Sequence, residues 1–422
     1  MSWIPYLLFL FFMVFLQLSV RRVLGPMKMV GDENGYIACG AQVDPYRPEM
    51  LLRVPLMAWL SKQAHRYSSN PERFLRSATS LASMVTILVT MVSARITGGD
   101  AIAILVGLIL VFMPGRLVLS HHIWPDIWLG LWLSLFCLVL VYPDLPPGLR
   151  AQLLGLVAAL AFMTRFDALL LAPVTAFGVA PMAPWDWVFI LSPTLLVFMV
   201  LSIRNAHRYR IPWPDTTWMF NLMIAAGETG QESASKVLVD QEVFKTATAW
   251  NQLSDPDRFA TSITSIRRLL ALPTRAIVGM FLRLWASIGP DSFVLHRLLP
   301  PTGCAYPEIS ERLNRGLGIA LVLVFPVFIS AALLALLVAD QPVAVIIWPT
   351  IAFGVTSLFH NRTRYRQAWL PGAALLLVTT ICTQGFWAML LSPGSIIKWV
   401  ACVGLALALI RFRVRSDVAG ET

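Results

Sequence analysis

The sequence is short of charged residues and of cysteines for its length. Only 13% of its 422 residues are Asp, Glu, Lys or Arg, whereas soluble domains carry about a quarter. Hydrophobic residues make up 57%, and so few charges cannot cover the surface of a water-soluble fold of this size. The five cysteines form no Cys-x-x-Cys pair and no zinc-ligand spacing. These shortages exclude a soluble domain, a nucleic-acid-binding domain, a disordered chain and a secreted disulfide scaffold.

Apolar sequence is what the chain has in excess. The mean hydropathy of +0.70 and the repeated apolar runs predict an all-α, polytopic bundle of transmembrane helices. The net charge of +10 suits a membrane protein, because anionic lipid headgroups attract Lys and Arg. The first run, 3–20, has neither the basic start nor the small-residue cleavage site of a removable signal, so we expect a retained span.

The apolar runs predict about ten or eleven transmembrane helices. Tryptophans stand at the ends of many runs, as expected for side chains at the membrane interface. The predicted spans are 3–20, 78–94, 101–119, 127–142, 151–164, 168–180, 187–203, 316–338, 342–359, 370–391 and 395–410.

Three polar segments lie between the predicted spans. Because successive spans cross the membrane in opposite directions, these three segments are predicted to lie at the same face. They are 21–76, 114–126 and 204–315, whereas short turns lie on the opposite face. This is the outer face if the first helix leaves the cytoplasm, although Arg21 and Arg22, directly after that helix, favour the reverse orientation. The sequence therefore predicts one membrane domain with its working surface at a single face.

The chain divides into a membrane core at 1–203, an outer loop at 204–315 and C-terminal transmembrane helices at 316–422. Within the outer loop, arginines recur on one side of the apolar stretch 268–285. This pattern predicts an amphipathic helix in the membrane interface, and a span kinked at Pro273 is the alternative.

The first polar motif, at 31–36, reads Gly-Asp-Glu-Asn-Gly-Tyr directly after the first span. Adjacent carboxylates at a membrane boundary are costly, because an ionised group near hydrocarbon loses hydration. Asp32 and Glu33 are therefore candidate catalytic residues. The alternative is an ordinary turn, since Gly-Asp and Asn-Gly favour turns.

The second motif, at 120–126, reads Ser-His-His-Ile-Trp-Pro-Asp and opens another apolar run. His121 and His122 are candidate substrate-binding residues, and Asp126 is a candidate catalytic residue. Asp126 alternatively caps the helix that follows. A metal site formed by the two histidines with Asp126 is the less favoured interpretation, because adjacent residues on a helix point in different directions.

Arg165 and Asp167 stand between two short apolar runs. Charged side chains between two membrane segments are expected to pair with each other or to line a water-filled cavity. The segment 360–366, His-Asn-Arg-Thr-Arg-Tyr-Arg, is either an ordinary basic loop or a clamp for phosphate, because guanidinium groups match phosphate oxygens. The candidate substrate-binding residues here are Arg165, Asp167, His360, Arg364 and Tyr365.

The order of these motifs resembles the GT-C integral membrane glycosyltransferases, most nearly the protein O-mannosyltransferases and the lipid A aminoarabinose transferase-like group. The similar features are an acidic pair after the first helix, an aspartate opening the fourth, and a basic Arg-Tyr segment ahead of a late helix. The resemblance covers 1–205 and 342–375. The segment 205–315 matches nothing in that group, so the acceptor stays unassigned.

The resemblance implies an enzyme that moves a sugar from a polyprenyl-phosphate carrier to a lipid, glycan or protein acceptor, with inversion. Asp32 is then expected to be the base, with Glu33 positioning it or the acceptor, and Asp126 to orient acceptor or sugar. Arg165, Arg364 and His360 are the first candidates to hold the phosphate. The weaker candidates are Arg204, His207 and Arg208.

The expected setting is the plasma or inner membrane of a cell envelope, with the active site outside. We expect no essential cofactor, and a divalent metal stays open. The alternative function is a transporter or flippase of a lipid-linked sugar, although transporters place such charges near the bilayer midplane in repeated halves. A non-catalytic subunit of an envelope complex is the third interpretation.

Overall fold

The computed structural model describes residues 4–24, 32–44, 54–178, 183–214, 253–271, 306–338 and 366–383. Throughout this part the regular structure is helical and contains no strand, which confirms the all-α class. The helices are α1 Ile4–Leu24, α2 Asp32–Gly40, α3 Pro55–Tyr67, α4 Pro71–Gly98, α5 Asp100–Phe112, α6 Pro114–Leu119, α7 Pro125–Val141, α8 Pro147–Thr164, a 3₁₀ helix Phe166–Leu170, α9 Leu171–Gly178, α10 Pro184–Tyr209, α11 Asp255–Ala271, α12 Pro307–Val338 and α13 Arg366–Thr383.

Proline fixes where many of these helices begin. It stands at the start of α3, α4, α6, α7, α8 and α10, where its missing N–H has no partner to lose and its φ suits the helix. The predicted span 101–119 is two helices for this reason, since α5 ends at Phe112 and Pro114 begins α6. The predicted polar segment 21–76 also contains two short helices, α2 and α3.

Four helices in the described part are long and apolar enough to cross a membrane: Ile4–Val23, Pro71–Gly98, Pro147–Thr164 and Pro184–Tyr209. On α1 and α10, large apolar side chains such as Phe11 and Leu196 are exposed. Apolar rows of this kind suit contact with lipid rather than water. These helices support an integral membrane protein, and the count of ten or eleven spans stays a prediction, because 342–359 and 395–410 lie outside the described residues.

One predicted element differs in the structure. The run 168–180 is a 3₁₀ helix followed by the eight residues of α9, too short for one straight crossing. In the outer segment the structure describes α11, Asp255–Ala271. The interfacial helix predicted for 268–285 stays a prediction, because residues 272–285 lie outside the described part.

Helices α1 to α10 with α12 and α13 pack into one bundle. Helix α4 packs against α5 and α7, α8 packs against α7 and α10, and α13 packs against α4, α5, α7 and α12. Helices α8 and α10 approach closely at Gly155, where an added Cβ would lie 2.1 Å from the carbonyl oxygen of Phe189. This close contact fixes the position of α8, which carries Arg165 directly after its last turn.

Gly155→Val is therefore expected to destabilise the bundle, because the added side chain meets backbone that cannot move without separating the two helices. Overpacking of this kind costs about 1–3 kcal/mol. The measurement is the thermal midpoint of the detergent-purified protein. Gly148→Val in the same helix is the control, since no atom lies within 4 Å of its added Cβ. Equal midpoints for the two variants would contradict the packing described here.

Candidate active site

Two of the polar segments that were predicted to share one face, 21–76 and 114–126, meet at one end of the bundle. The loop between α6 and α7 is held there by α4 and α1. Arg76 donates through Nη1 to the carbonyl of His121 at 3.0 Å. The hydroxyl of Ser120 donates to Gln17 Oε1 at 3.0 Å. We call this end, which also holds Glu33 of α2, the Glu33 end.

The opposite end of the bundle is marked by Asp100, at the start of α5. Its carboxylate lies 2.8 Å from Nε of Arg95 and accepts a hydrogen bond from the hydroxyl of Tyr6. Arg76 and Arg95 both lie on α4, 19 positions apart, which corresponds to about 28 Å along the helix axis. The two polar ends are therefore separated by roughly the thickness of a bilayer core.

Glu33 joins α2 to the loop between α6 and α7. Its side chain is fully buried, and Oε1 accepts a hydrogen bond from the backbone N–H of Ile123 at 2.8 Å. Both carboxylate oxygens also lie 3.1 Å from Nδ1 of His122, whose ring is itself buried. The sequence placed Glu33 and His122 in two separate motifs, and the structure brings them into direct contact.

Asp126 and Arg165 form a buried ion pair at the same end. Nη1 of Arg165 lies 2.9 Å from Oδ1 of Asp126, and the Asp126 side chain is fully buried. Asp126 lies in the first turn of α7, and Arg165 follows α8 with an extended backbone, φ −151° and ψ 126°. Asp126 is therefore a partner of Arg165 rather than a helix cap. The sequence led us to expect that Arg165 pairs with Asp167 or lines a cavity, and this stays a prediction because the side chain of Asp167 lies outside the description.

His121 is buried beside this network. Among the described residues, neither of its ring nitrogens has a hydrogen-bond partner. Burial lowers the pKa of His121 to about 3, and the nearby charges of Arg21, His122 and Arg76 lower it further. The ring is therefore neutral at physiological pH, which makes it an acceptor or donor of hydrogen bonds rather than a cation for phosphate.

Arg116 is a buried cation that motif reasoning did not assign to the site. Its side chain is 1% exposed, and Nη2 donates to the carbonyl of Ser83 at 3.1 Å. Within the described part of the chain, Nε and Nη1 of this side chain have no hydrogen-bond partner. The signal available in the sequence was an arginine two residues after Pro114, at the end of a long apolar run.

Asp44 is a second group that sequence reasoning missed. It follows α2 and contacts the C-terminal turn of α10, where Arg204, Arg208 and Tyr209 all bind its carboxylate. The Arg208 contact is 3.2 Å. This cluster fastens the end of α2 to α10. It also shows that Arg204 and Arg208, the weaker phosphate candidates, lie near the first polar segment.

Several candidates cannot be placed. The side chains of Asp32 and Asp167 lie outside the description, although Asp32 begins α2 directly before Glu33. His360, Arg364 and Tyr365 lie outside the described residues altogether. No group of three or more His, Cys, Asp or Glu side chains is arranged to hold a metal ion within the residues described.

Comparison with known proteins gives a structural likeness only. No protein-family model and no curated protein matches the sequence. The chain is similar to ArnT from Cupriavidus metallidurans in the apo state, at 15% identity and a TM-score of 0.38, over 89% of this chain and 77% of that chain. The same protein bound to undecaprenyl phosphate gives 16% identity and a TM-score of 0.40, over 90% and 78%.

A second kind of solved structure is the oligosaccharyltransferase from Archaeoglobus fulgidus in complex with zinc and sulfate. It gives 11% identity and a TM-score of 0.40, over 95% of this chain and 51% of that chain, so this chain spans about half its length. At these identities no residue correspondence is drawn, and the roles proposed below depend on the motifs and contacts of this chain.

Proposed function

We propose that the chain is a membrane glycosyltransferase, which moves a sugar from a polyprenyl-phosphate carrier to an acceptor hydroxyl at the outer face of the membrane, with inversion. The observation that carries this proposal is the meeting of Glu33, His122, Asp126 and Arg165 at one end of the bundle. Each comes from a motif that the sequence singled out for chemistry, and the four residues come from three separate regions of the chain.

The proposed reaction needs a group that takes a proton from the acceptor. The acceptor oxygen attacks the anomeric carbon, which passes through an oxocarbenium-like state, and a carboxylate or imidazole is the usual proton acceptor in such a step. Motif reasoning favours Asp32 in this role. Its position at the start of α2, next to Glu33, puts its backbone at the Glu33 end.

The leaving group is the phosphate of the carrier, which departs as a stable anion and needs cations more than an acid. Arg165 suits this role, because a guanidinium group matches two phosphate oxygens at once. Its ion pair with Asp126 holds the side chain at the Glu33 end before a substrate binds. His360, Arg364 and Tyr365 are further candidates to contact donor or phosphate. The proposed partners are the lipid-linked donor, membrane lipids and a lipid, glycan or protein acceptor.

The position of the charges favours an enzyme over a transporter of the same lipid-linked sugar. Transporters hold coupling and substrate sites near the bilayer midplane on discontinuous helices. Here the acidic and basic groups lie at helix ends, and the end marked by Asp100 lies about 28 Å away along α4. A reaction at the membrane surface therefore fits this arrangement better than passage through the bundle.

The test is transfer of a radiolabelled sugar from polyprenyl-phosphate donors by membranes that contain the chain, compared with membranes that lack it. We expect labelled acceptor to form only where the chain is present. Asp100→Asn is the control variant, because it lies at the far end and should retain transfer. Membranes in which label crosses the bilayer while it stays attached to the carrier would favour the flippase instead.

A further inference from the structure

The imidazole of His122 is oriented by the carboxylate of Glu33. Nδ1 lies 3.1 Å from each carboxylate oxygen, and the side chains are 1% and 0% exposed. Glu33 is itself fixed by the backbone N–H of Ile123, at 2.8 Å. The ring is therefore held by a buried carboxylate that joins two segments of the chain, and not by a surface side chain that is free to rotate.

The contact with Glu33 determines which ring nitrogen carries the proton. An ionised carboxylate only accepts hydrogen bonds, so Nδ1 donates and Nε2 of the neutral ring is an acceptor. Within the residues described, Nε2 of His122 has no hydrogen-bond partner, although the ring is buried. A buried acceptor is costly without a donor, and a hydroxyl group of a bound substrate would supply one.

We propose that His122, oriented by Glu33, is the base that takes the proton of the acceptor hydroxyl. This inference rests on the proposed transferase function and assigns to His122 the role that the sequence favoured for Asp32. The acceptor O–H bond breaks and its proton moves to Nε2, while the oxygen forms a bond to the anomeric carbon. The bond between that carbon and the phosphate oxygen breaks, and its electron pair leaves with polyprenyl phosphate. Glu33 stabilises the imidazolium that results.

The charged groups around the ring allow this role to be tested by pH. Glu33 of α2 contacts the ring directly, and Arg21 of α1 and Arg76 of α4 lie close enough to affect the neighbouring His121. Asp126 of α7 is paired with Arg165. Since the pKa of His121 is lowered to about 3, chiefly by burial, His121 does not titrate between pH 5 and 8. A loss of activity between pH 5 and 8 is therefore due to the titration of a group other than His121.

The experiment measures kcat/KM for sugar transfer between pH 4.5 and 8.5, with the full-length purified protein and the donor that the membrane assay identifies. A catalytic base must be unprotonated to accept the proton, so protonation of the base gives kcat/KM an acid limb, and we expect the wild type to show one. His122→Gln should lower kcat about a hundredfold and remove this limb.

Two further variants keep the inference testable if His122→Gln does not fold. Glu33→Gln should move the acid limb to lower pH, because a neutral amide no longer stabilises the imidazolium. Asp32→Asn should retain the limb, whatever its effect on the rate. Product formation with a flat profile down to pH 5, or a limb that only Asp32→Asn removes, would overturn the role of His122 and leave the transferase intact. Absence of product from the wild type with every donor would overturn the proposed function and this inference together.

Discussion

Asp126→Asn is expected to lower sugar transfer at least about a hundredfold. Asp126 and Arg165 form a buried pair at 2.9 Å, and removing one partner of such a pair costs about 3–5 kcal/mol. A loss of this size in the orientation of Arg165 corresponds to about two to four orders of magnitude in rate. The measurement is the initial rate with the labelled donor, together with the thermal midpoint of the purified variant.

The matched control for this variant is Asp100→Asn. Asp100 also stands in the first turn of a helix and also pairs with an arginine, Arg95, at 2.8 Å. It lies at the far end of α4, and its side chain is 60% exposed, so its replacement should leave transfer within a few-fold of wild type. Arg165→Gln should lower transfer as Asp126→Asn does, and the double variant should be little worse than either single one. Independent, additive losses would contradict a shared role for the pair.

Glu33→Ala is expected to lower both the stability of the protein and the rate of sugar transfer. We expect both losses to be larger than those caused by any other substitution in α2. It removes the acceptor of the Ile123 N–H at 2.8 Å and the partner of His122. Leaving such buried groups unsatisfied costs about 1–3 kcal/mol for each. We therefore expect a large drop in the thermal midpoint and about a thousandfold loss of transfer.

Two variants in α2 separate the causes of this loss. Glu33→Gln retains an oxygen for the Ile123 N–H and should recover most of the stability, while transfer stays impaired, because the charge beside His122 is gone. Asn34→Ala, at an exposed neighbouring position, should match the wild type in both measurements. A Glu33→Ala protein that is as stable and active as Asn34→Ala would contradict the anchoring role of Glu33.

Local patterns in the sequence predicted much of this fold. The apolar runs identify the long helices of the described part, and proline marks where several begin, as at Pro71 and Pro147. Alternation of spans predicted that the segments around Glu33 and Asp126 lie at one face, and in the structure Glu33 contacts His122 and Ile123 of the second segment. These features depend on hydropathy and on backbone restrictions that act within a few residues of the chain.

The pairing of charges could not be predicted in the same way. Arg165 pairs with Asp126, 39 residues earlier, because packing of α8 against α7 decides which carboxylate comes within reach. Asp44 binds Arg204 across 160 residues for a similar reason. Sequence spacing does not specify such contacts between helices, and this is why Asp44 was missed.

The central claim is that the Glu33 end transfers a sugar from a lipid phosphate. It is tested most directly by purified protein reconstituted in vesicles with a labelled polyprenyl-phosphate sugar, where both products are counted. We predict one polyprenyl phosphate released for each glycoside formed by the wild type, and neither product above background with Asp126→Asn. Equal product yields from the wild type and Asp126→Asn, or sugar that crosses the vesicle membrane still bound to its carrier, would contradict the account.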